Sequence, residues 1–414
     1  MALYLGLSLL FLEFSVLPQV AYFVLHVNLY LPYLIGIPAI VAMILDGGIG
    51  KSFRARTAYY WMGFACWMTL AAPFSSWPGG SVAVCFNYWR ITLVMLFVTA
   101  GIIVKWSDVR KVMNVIAAAA VINVLCGRLF RSDMGERVGI ALGSIGNPND
   151  YAGHLLLVLP FLVWILLTGK VFWRMVALAT VGCGLYLILA TASRGALVAL
   201  GADLLLFVIM GTGRQKAALF VLGPITAMLL LAIVPSTSWR RLTTVWSSSI
   251  NSAEAEEATA SSAAREYTLR TSIRYALAHP VFGVGPNQFA DYEGGHEQVM
   301  GAHGYYHEAH NSYTQVAAEC GIPAFLFFVA GTVSSLLLLF KTFRQARRRP
   351  DCQDIRIAVF CMILGVFGFD IAITFLNFAY FFYLPAIAGL ATGVWVAAQR
   401  EFQARDAVLQ AGTT

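Results

Sequence analysis

Residues 309–323 read AHNSYTQVAAECGIP and lie where a long polar segment gives way to an apolar run. In a chain rich in apolar runs, such a change marks a boundary between the membrane and the water beside it. The stretch also ends a segment that holds five of the seven histidines. Three interpretations of this boundary are open: a catalytic site, a metal site and ordinary loop chemistry.

Composition predicts an all-α, polytopic membrane protein. Of the 414 residues, 59% are hydrophobic and 12% are charged, whereas soluble domains carry roughly 25% charged residues. Because lipid offers the backbone no hydrogen-bond partners, apolar runs of this length must be helices. We expect twelve transmembrane spans, near residues 2–18, 20–45, 57–74, 82–104, 110–127, 151–168, 172–191, 194–211, 216–234, 311–340, 356–373 and 378–398.

The basic residues predict how these spans are oriented. Eighteen of the twenty-eight, including all six lysines, fall in loops that alternate along the chain as a twelve-span topology demands. Both termini are therefore expected in the cytoplasm. Residues 1–234 would hold spans one to nine, residues 235–310 a periplasmic loop with helices, and residues 311–414 the last three spans and a tail. Since this distribution explains the net charge of +7, no nucleic-acid partner is expected.

The other ten basic residues are all arginines, at the predicted outer face or in spans leading to it. Positive charge there opposes the insertion bias, and planar guanidinium groups suit contacts to phosphate or carboxylate. Arg194 lies between two predicted spans, where an arginine costs roughly 2.5–3.5 kcal/mol on insertion scales. An anion ligand is the preferred interpretation of Arg194, and a side chain that only snorkels to the interface is the alternative.

An amphipathic helix predicted from Arg265 onwards indicates a second anion ligand. Leu269, Ile273 and Leu277 recur every four residues, and Arg265 continues this apolar row at its N-terminal end. We expect the Arg265 guanidinium on the buried side of the helix, beside free backbone N–H groups that suit a phosphate. A structural ion pair is the alternative.

Two rigid turns are predicted on the same side of the membrane. One is the glycine-rich turn that follows Pro280 and contains Gly283 and Gly285. The other is Gly146-Asn147-Pro148-Asn149, whose asparagine side chains are expected to face outward. Asn149 and the two glycines of the first turn are candidate substrate-binding residues.

Among the histidines, His310 is the favoured functional residue because it stands at the entry of a span. Asn311 and Tyr313 beside it are candidate substrate-binding residues. On a helix, His303, His307 and His310 would share a face as zinc ligands sometimes do. However, the intervening Gly-Tyr-Tyr stretch is a poor helix, no HExxH order occurs, and the seven cysteines form no CxxC pair. We predict no metal and no cofactor.

Four segments in order resemble motifs of the O-antigen ligase/polymerase superfamily of bacterial membrane glycosyltransferases. The resemblance covers about residues 140–340, whereas the first four spans are similar in hydropathy only. The segments are the histidine motif in AHNSY and ECGIP (309–313 and 319–323), the arginine with its Pro-x-x-Gly-x-Gly turn in Arg265 and PVFGVG (280–285), the Ser-Arg-Gly in TASRG (191–195), and the Asn-Pro-Asn turn in GNPN (146–149).

The resemblance implies a multi-pass enzyme of the bacterial inner membrane that works at the periplasmic face. It would transfer a glycan from undecaprenyl pyrophosphate to an acceptor hydroxyl, with the lipids of the inner membrane as further partners. Arg194 and Arg265 would stabilise the leaving pyrophosphate in place of a metal. His310 would act as general base on the acceptor hydroxyl, giving displacement with inversion. Arg90, expected to be buried near the outer end of its span, is a weaker candidate for binding acceptor or glycan phosphate.

Three acceptors compete within that superfamily: a lipid A-core sugar, another glycan repeat unit and a protein hydroxyl. One large loop of about 75 residues and no further periplasmic domain favour the lipid A-core acceptor, and hence a ligase of lipopolysaccharide biosynthesis. A flippase for the lipid-linked glycan is the alternative from another class. It would place charge near the middle of several spans, which only Arg90, Asp203 and Asp370 approach.

Overall fold

The computed structural model describes residues 1–134, 137–140, 145–243, 253–299 and 306–411 and is helical apart from one hairpin. In chain order the elements are α1 (Ala2–Phe14), α2 (Leu17–Leu25), α3 (Leu31–Leu45), α4 (Gly48–Ser52), α5 (Arg56–Ala71), α6 (Pro78–Asn87), α7 (Leu93–Ile102), α8 (Trp106–Leu129), β1 (Arg131–Met134), β2 (Arg137–Ile140), α9 (Pro148–Thr168), α10 (Val171–Ala190), α11 (Arg194–Met210), α12 (Gly213–Ile233), α13 (Ser236–Thr243), α14 (Ala253–Ala278), α15 (Phe289–Val299), α16 (Ser312–Arg347), α17 (Gln353–Ala372) and α18 (Tyr383–Ala411). A π-helical turn, Tyr88–Thr92, joins α6 to α7.

Length and hydropathy confirm the predicted class, a multi-pass α-helical membrane protein. Within the described residues, seven helices are long and apolar enough to cross a membrane, or eight if α1 and α2 form one bent span. The structure therefore supports fewer spans than the twelve predicted. Helices α3, α5 and α11 contain 15, 16 and 17 residues, short of the roughly 20 that a full crossing takes.

The predicted span at 20–45 is not one helix. Residues 26–30 separate α2 from α3, and α2 is bent by 69° against α1. Both α2 and α3 carry a proline in the first turn, where its missing N–H is tolerated. The side chain of Asn123 satisfies the backbone at the bend, since it accepts the Val16 N–H at 2.9 Å and donates to the Phe14 carbonyl at 2.8 Å.

The connections between helices form two ends of the bundle. The loop end comprises residues 72–77, 191–193, 376–382 and the described parts of 130–147 and 234–311. Hydrogen bonds join these connections to one another, for example from Ser76 N to Val284 O at 2.9 Å. The basic end comprises residues 46–55, 103–105, 169–170, 211–212 and 348–352, which lie beside most of the lysines.

Helices α17 and α12 show the two extremes of burial. Helix α17 packs against α9, α11 and α16 and is buried along most of its length. Helix α12 has no buried residue and stands at the side of the bundle. An apolar cavity of about 1110 Å³ lies between α12 and the neighbouring helices α9, α10 and α11.

The predicted glycine-rich turn positions the large loop on the bundle. It docks against α16 where that helix is kinked at Gly321, whose φ is +82°. Gly283 has a φ of +68°, and a Cβ there would collide with the backbone of Glu319. Three backbone hydrogen bonds fix the contact, from Ile322 N to Pro280 O at 2.8 Å, from Val284 N to Ala318 O at 2.9 Å and from Gly285 N to Glu319 O at 2.9 Å.

Candidate functional site

His310 lies directly before the N-terminus of α16, as its position in the sequence predicts. Asn311 is the N-cap of this helix, and its Oδ1 accepts the N–H groups of Tyr313 at 3.0 Å and Thr314 at 3.1 Å. His310 is half-buried and has a φ of +51°, in the left-handed region. The cap therefore fixes the backbone from which the imidazole projects.

Contacts from two sides hold this segment in place. Thr268 and Ser272 of α14 donate to the Ala309 carbonyl at 3.3 Å and to Thr314 Oγ1 at 2.9 Å. From the other side, Ser312 Oγ donates to the Leu376 carbonyl at 2.7 Å. These partners come from distant parts of the chain, so His310 is positioned by tertiary structure as well as by its cap.

Arg265 is half-buried, but for a different reason from the one predicted. Helix α14 begins at Ala253, so Arg265 lies in its interior rather than beside free N–H groups. The apolar row is also exposed, up to 73% at Leu277. Arg265 instead shares the face of Thr268 and Ser272, at i, i+3 and i+7. This face turns inward because its hydroxyl groups find hydrogen-bond partners on the His310 segment.

Arg194 is the first residue of α11 and is half-buried. Ser193 is the N-cap and accepts the Ala196 N–H at 3.4 Å. Gly195 lets the helix approach Phe375, because a Cβ there would lie 2.8 Å from that ring. The predicted Ser-Arg-Gly motif therefore has a physical basis, in which a cap and a close approach place a guanidinium at the loop end.

Arg241 joins this site, although the sequence did not single it out. It lies on α13, is only 7% exposed, and interacts electrostatically with both Arg194 and Arg265. Its neighbour Arg240 is exposed. We refer to Arg194, Arg241 and Arg265 as the arginine cluster.

The electrostatics of the site reflect burial and like charge. Burial lowers the pKa of Arg265, and the nearby Arg194 and Arg241 lower it further, whereas Asp150 opposes them. Asp150 lies in the first turn of α9 and was also not predicted. Because the guanidinium groups of the cluster repel one another, a bound anion would reduce this repulsion.

His310 belongs to the same electrostatic environment. Burial lowers its pKa below the ordinary value of 6.5, and Arg265 and His307 act in the same direction, while Glu308 raises it. Asn377 Nδ2 donates a hydrogen bond to Glu308. A low pKa keeps the imidazole neutral near pH 7, the form that accepts a proton.

The Asn-Pro-Asn turn also reaches the site. Arg137 of β2 donates from Nη2 to Asn149 Oδ1 at 2.7 Å and from Nε to the Thr191 carbonyl at 2.9 Å. It therefore joins the start of α9 to the residues before α11. Asn149, Ser193 and Arg265 also line one narrow cleft.

Three other candidates make contacts away from the cluster. Tyr313 donates from its hydroxyl to the Asp370 carbonyl at 3.3 Å. Gly283 packs on the α16 backbone, and Gly285 packs against the side chain of Ser75. These contacts account for the residues structurally, so their roles in substrate binding stay predictions.

Arg90 is exposed, not buried as expected. It lies on the π-helical turn, where it bonds Asn87 at 2.8 Å and stacks over Tyr33 and Phe86. These contacts are on α3 and α6 rather than at the arginine cluster. Its predicted role in phosphate binding gains no support from them.

His303, His307 and His310 were considered as metal ligands in the sequence, and His303 lies outside the described residues. Within the residues that are described, no three His, Cys, Asp or Glu side chains come together as metal ligands would. His296 is exposed on α15, and His279 contacts Tyr292.

Fold and site together define a multi-pass α-helical membrane protein with a cationic site where a large loop meets the helices. The O-antigen ligase family model matches residues 179–329, and this match confirms the resemblance to that superfamily. The matched segment contains all three members of the arginine cluster and His310. Members of this family are membrane glycosyltransferase-like enzymes. None of the curated proteins compared with the chain matches it.

Proposed function

We propose that this protein is an O-antigen ligase-like glycosyltransferase of lipopolysaccharide biosynthesis. It moves a glycan from undecaprenyl pyrophosphate to a hydroxyl of a lipid A-core sugar, at the periplasmic face of the inner membrane. The observation that carries the proposal is the placement of a low-pKa histidine within the electrostatic reach of a buried arginine cluster. Such a site supplies a base and an anion-binding group together.

The reaction needs these two functions and little else. The acceptor hydroxyl is a poor nucleophile, so His310 takes its proton as the oxygen attacks the anomeric carbon. The bond from that carbon to the pyrophosphate oxygen breaks, and the pyrophosphate leaves with the electron pair. Arg194 and Arg265 stabilise the charge that develops on it, without a metal. Attack opposite the leaving group inverts the anomeric centre.

An apolar cavity supports a lipid-linked donor. The cavity beside α12 extends from Lys216 near the basic end to Trp239 at the loop end, and its lining is almost wholly apolar. At the loop end it meets α13, the helix that carries Arg241. A polyprenyl chain in this cavity would therefore lead its diphosphate to the arginine cluster, while hydrocarbon fills a space that water disfavours.

Two observations support a lipid A-core sugar as the acceptor. One large loop lies between α12 and α16, and residues 179–329 match a ligase family. A glycan repeat unit or a protein hydroxyl as acceptor would keep the same base and the same arginines. The experiment therefore compares different acceptors.

Reconstitution tests the proposal. Protein in liposomes receives undecaprenyl-pyrophosphate-linked glycan and lipid A-core, and the shift of the lipid A-core band on a gel reports transfer. We expect transfer with wild type, in chelator as well as without it, and none with Arg265→Ala. His310→Asn should also be inactive, and asparagine suits the test because it tolerates the positive φ of residue 310.

Three outcomes would replace the proposal by another. Full activity of both variants would remove the proposed roles, and loss of activity in chelator would favour a metal enzyme. Movement of the lipid-linked glycan across the vesicle without a new covalent bond would identify a flippase.

A further inference from the structure

Helix α13 lies across the loop ends of α10 and α11. Ser238 Oγ donates to the Ala190 carbonyl at 3.4 Å, and Leu242 packs with Leu189 and Val234 in a small apolar cluster. Helix α13 also contacts α14, which carries Arg265. This short helix therefore contacts α14, which bears Arg265, and α10, which leads to Arg194 at the start of α11.

The two sides of α13 meet different surroundings. Trp239 lines the loop end of the apolar cavity. Arg241, two residues later and so about 200° further round the helix, is buried in the arginine cluster. Arg240, between them in sequence, is exposed.

We infer that α13 selects the donor by contacting both of its parts, the polyprenyl chain through Trp239 and the diphosphate through Arg241. The inference rests on the proposed function, which it deepens by naming the two determinants. A nucleotide-linked sugar would reach Arg241 but leave the cavity empty. A polyprenyl monophosphate would fill the cavity but offer three guanidinium groups only one phosphate.

The charges at the site favour a diphosphate over a monophosphate. Arg265 interacts with Arg194, Arg241 and Asp150, and Asp150 interacts with Glu308. The three guanidinium groups act on one another, and a single negative charge relieves less of this repulsion than two do. Arg241 supplies the third cation. Its removal should therefore reduce the ratio of the affinity for the diphosphate to the affinity for the monophosphate.

Ligand binding to purified protein in nanodiscs of zwitterionic lipid tests the separate roles of Trp239 and Arg241. The ligands are undecaprenyl pyrophosphate, undecaprenyl monophosphate and inorganic pyrophosphate, which has no lipid chain. Arg241→Gln should weaken undecaprenyl pyrophosphate by about 10-fold or more, the usual effect of losing a charged hydrogen bond, and should weaken the monophosphate less. Trp239→Ala should weaken both undecaprenyl ligands and affect inorganic pyrophosphate less, because pyrophosphate has no chain to contact Trp239.

Matched variants separate binding from folding. Arg240→Gln, on the exposed side of the same helix, should bind all three ligands as wild type does. Arg241→Lys keeps the charge but loses the planar fork, so its affinity for undecaprenyl pyrophosphate should lie between those of wild type and Arg241→Gln. Thermal unfolding of each variant reports whether the protein still folds.

Two results would overturn the inference. Equal losses for Arg240→Gln and Arg241→Gln would show that only the general charge of the loop matters. Equal weakening of all three ligands by Trp239→Ala would show that Trp239 acts on the fold rather than on the lipid chain. If wild type binds no polyprenyl diphosphate at all, the proposed function fails as well; if it binds and transfers but the α13 variants behave as wild type, only the role of α13 fails.

Discussion

The basic end of the bundle and the arginine cluster at the loop end place arginine in different surroundings. At the basic end, Asp354 accepts hydrogen bonds from Trp106 at 2.8 Å, Arg110 at 2.7 Å and Arg405 at 3.3 Å. Arg349 forms a two-pronged pair with Asp406, at 2.6 and 2.9 Å. At the loop end, the arginine cluster brings three guanidinium groups into mutual electrostatic contact.

This difference separates charges that hold the fold from charges for which we propose a chemical role. At the basic end, Arg110 and Arg405 join α8 and α18 to Asp354 of α17, and Arg349 joins the residues before α17 to α18. In the arginine cluster, like charges and burial both oppose the charged state of Arg265. A protein retains such an arrangement where function requires it, at a cost in stability.

The largest expected effect is on catalysis, from Arg265→Gln. Transfer should fall by about 10²–10³-fold, as when one charge-stabilising donor is lost. The free energy of unfolding should stay unchanged or rise, because repulsion in the cluster falls. Rate assays in liposomes and thermal unfolding measure the two quantities. Arg270→Gln is the control, since Arg270 is exposed on the same helix and pairs with Glu266. A stability loss confined to Arg265→Gln would contradict the comparison.

Gly283→Ala tests how the glycine-rich turn holds the large loop on the bundle. The new methyl group would collide with the α16 backbone at a positive φ, so we expect a loss of about 1–3 kcal/mol in the free energy of unfolding. Chemical or thermal denaturation of the purified protein measures it. Gly295→Ala serves as the matched control, because a Cβ there meets open space. Equal stability of the two variants would mean that the turn is not what secures the loop.

Asp354→Asn tests the basic end. The substitution weakens three contacts to a half-buried carboxylate, and screening by solvent limits the loss to about 1 kcal/mol. Transfer per folded molecule should be unchanged. A fall in transfer like that of Arg265→Gln would show that the two ends are not separate in function.

The smallest expected effect is a shift in pH dependence, from Glu308→Gln. The general base must be neutral, so transfer should be lost as pH falls through the pKa of His310, which burial, Arg265 and His307 lower. Glu308 stabilises the imidazolium, so its neutralisation lowers that pKa further. The acid limb of the transfer rate should move to lower pH. Glu266→Gln, at an exposed position of α14, should leave the limb in place, and a shift to higher pH would contradict the role of His310.

The sequence predicted Arg194, Arg265 and His310 together, because a change in polarity and a bias in charge both mark the membrane boundary. It missed Arg241 because Arg240 and Arg241 are adjacent and alike. Which of them turns inward depends on how Leu242 packs against α10, a contact between residues far apart in sequence.

The sequence misjudged α14 and the second span for related reasons. Periodicity assigned the apolar row to the buried face, but the hydroxyl groups of Thr268 and Ser272 bury the other face through specific hydrogen bonds. Hydropathy gave residues 20–45 one continuous span and did not weigh the breaks that the prolines of α2 and α3 permit.

The apolar cavity beside α12 has a practical consequence for purification. The cavity has a volume of about 1110 Å³ and almost no polar lining. Binding of any alkyl chain in it is therefore favourable, because apolar surface is removed from water. Detergents used for extraction carry such chains at high concentration and would compete with a lipid substrate for the space. The apparent affinity for that substrate should therefore weaken with micelle concentration and recover after transfer to a bilayer.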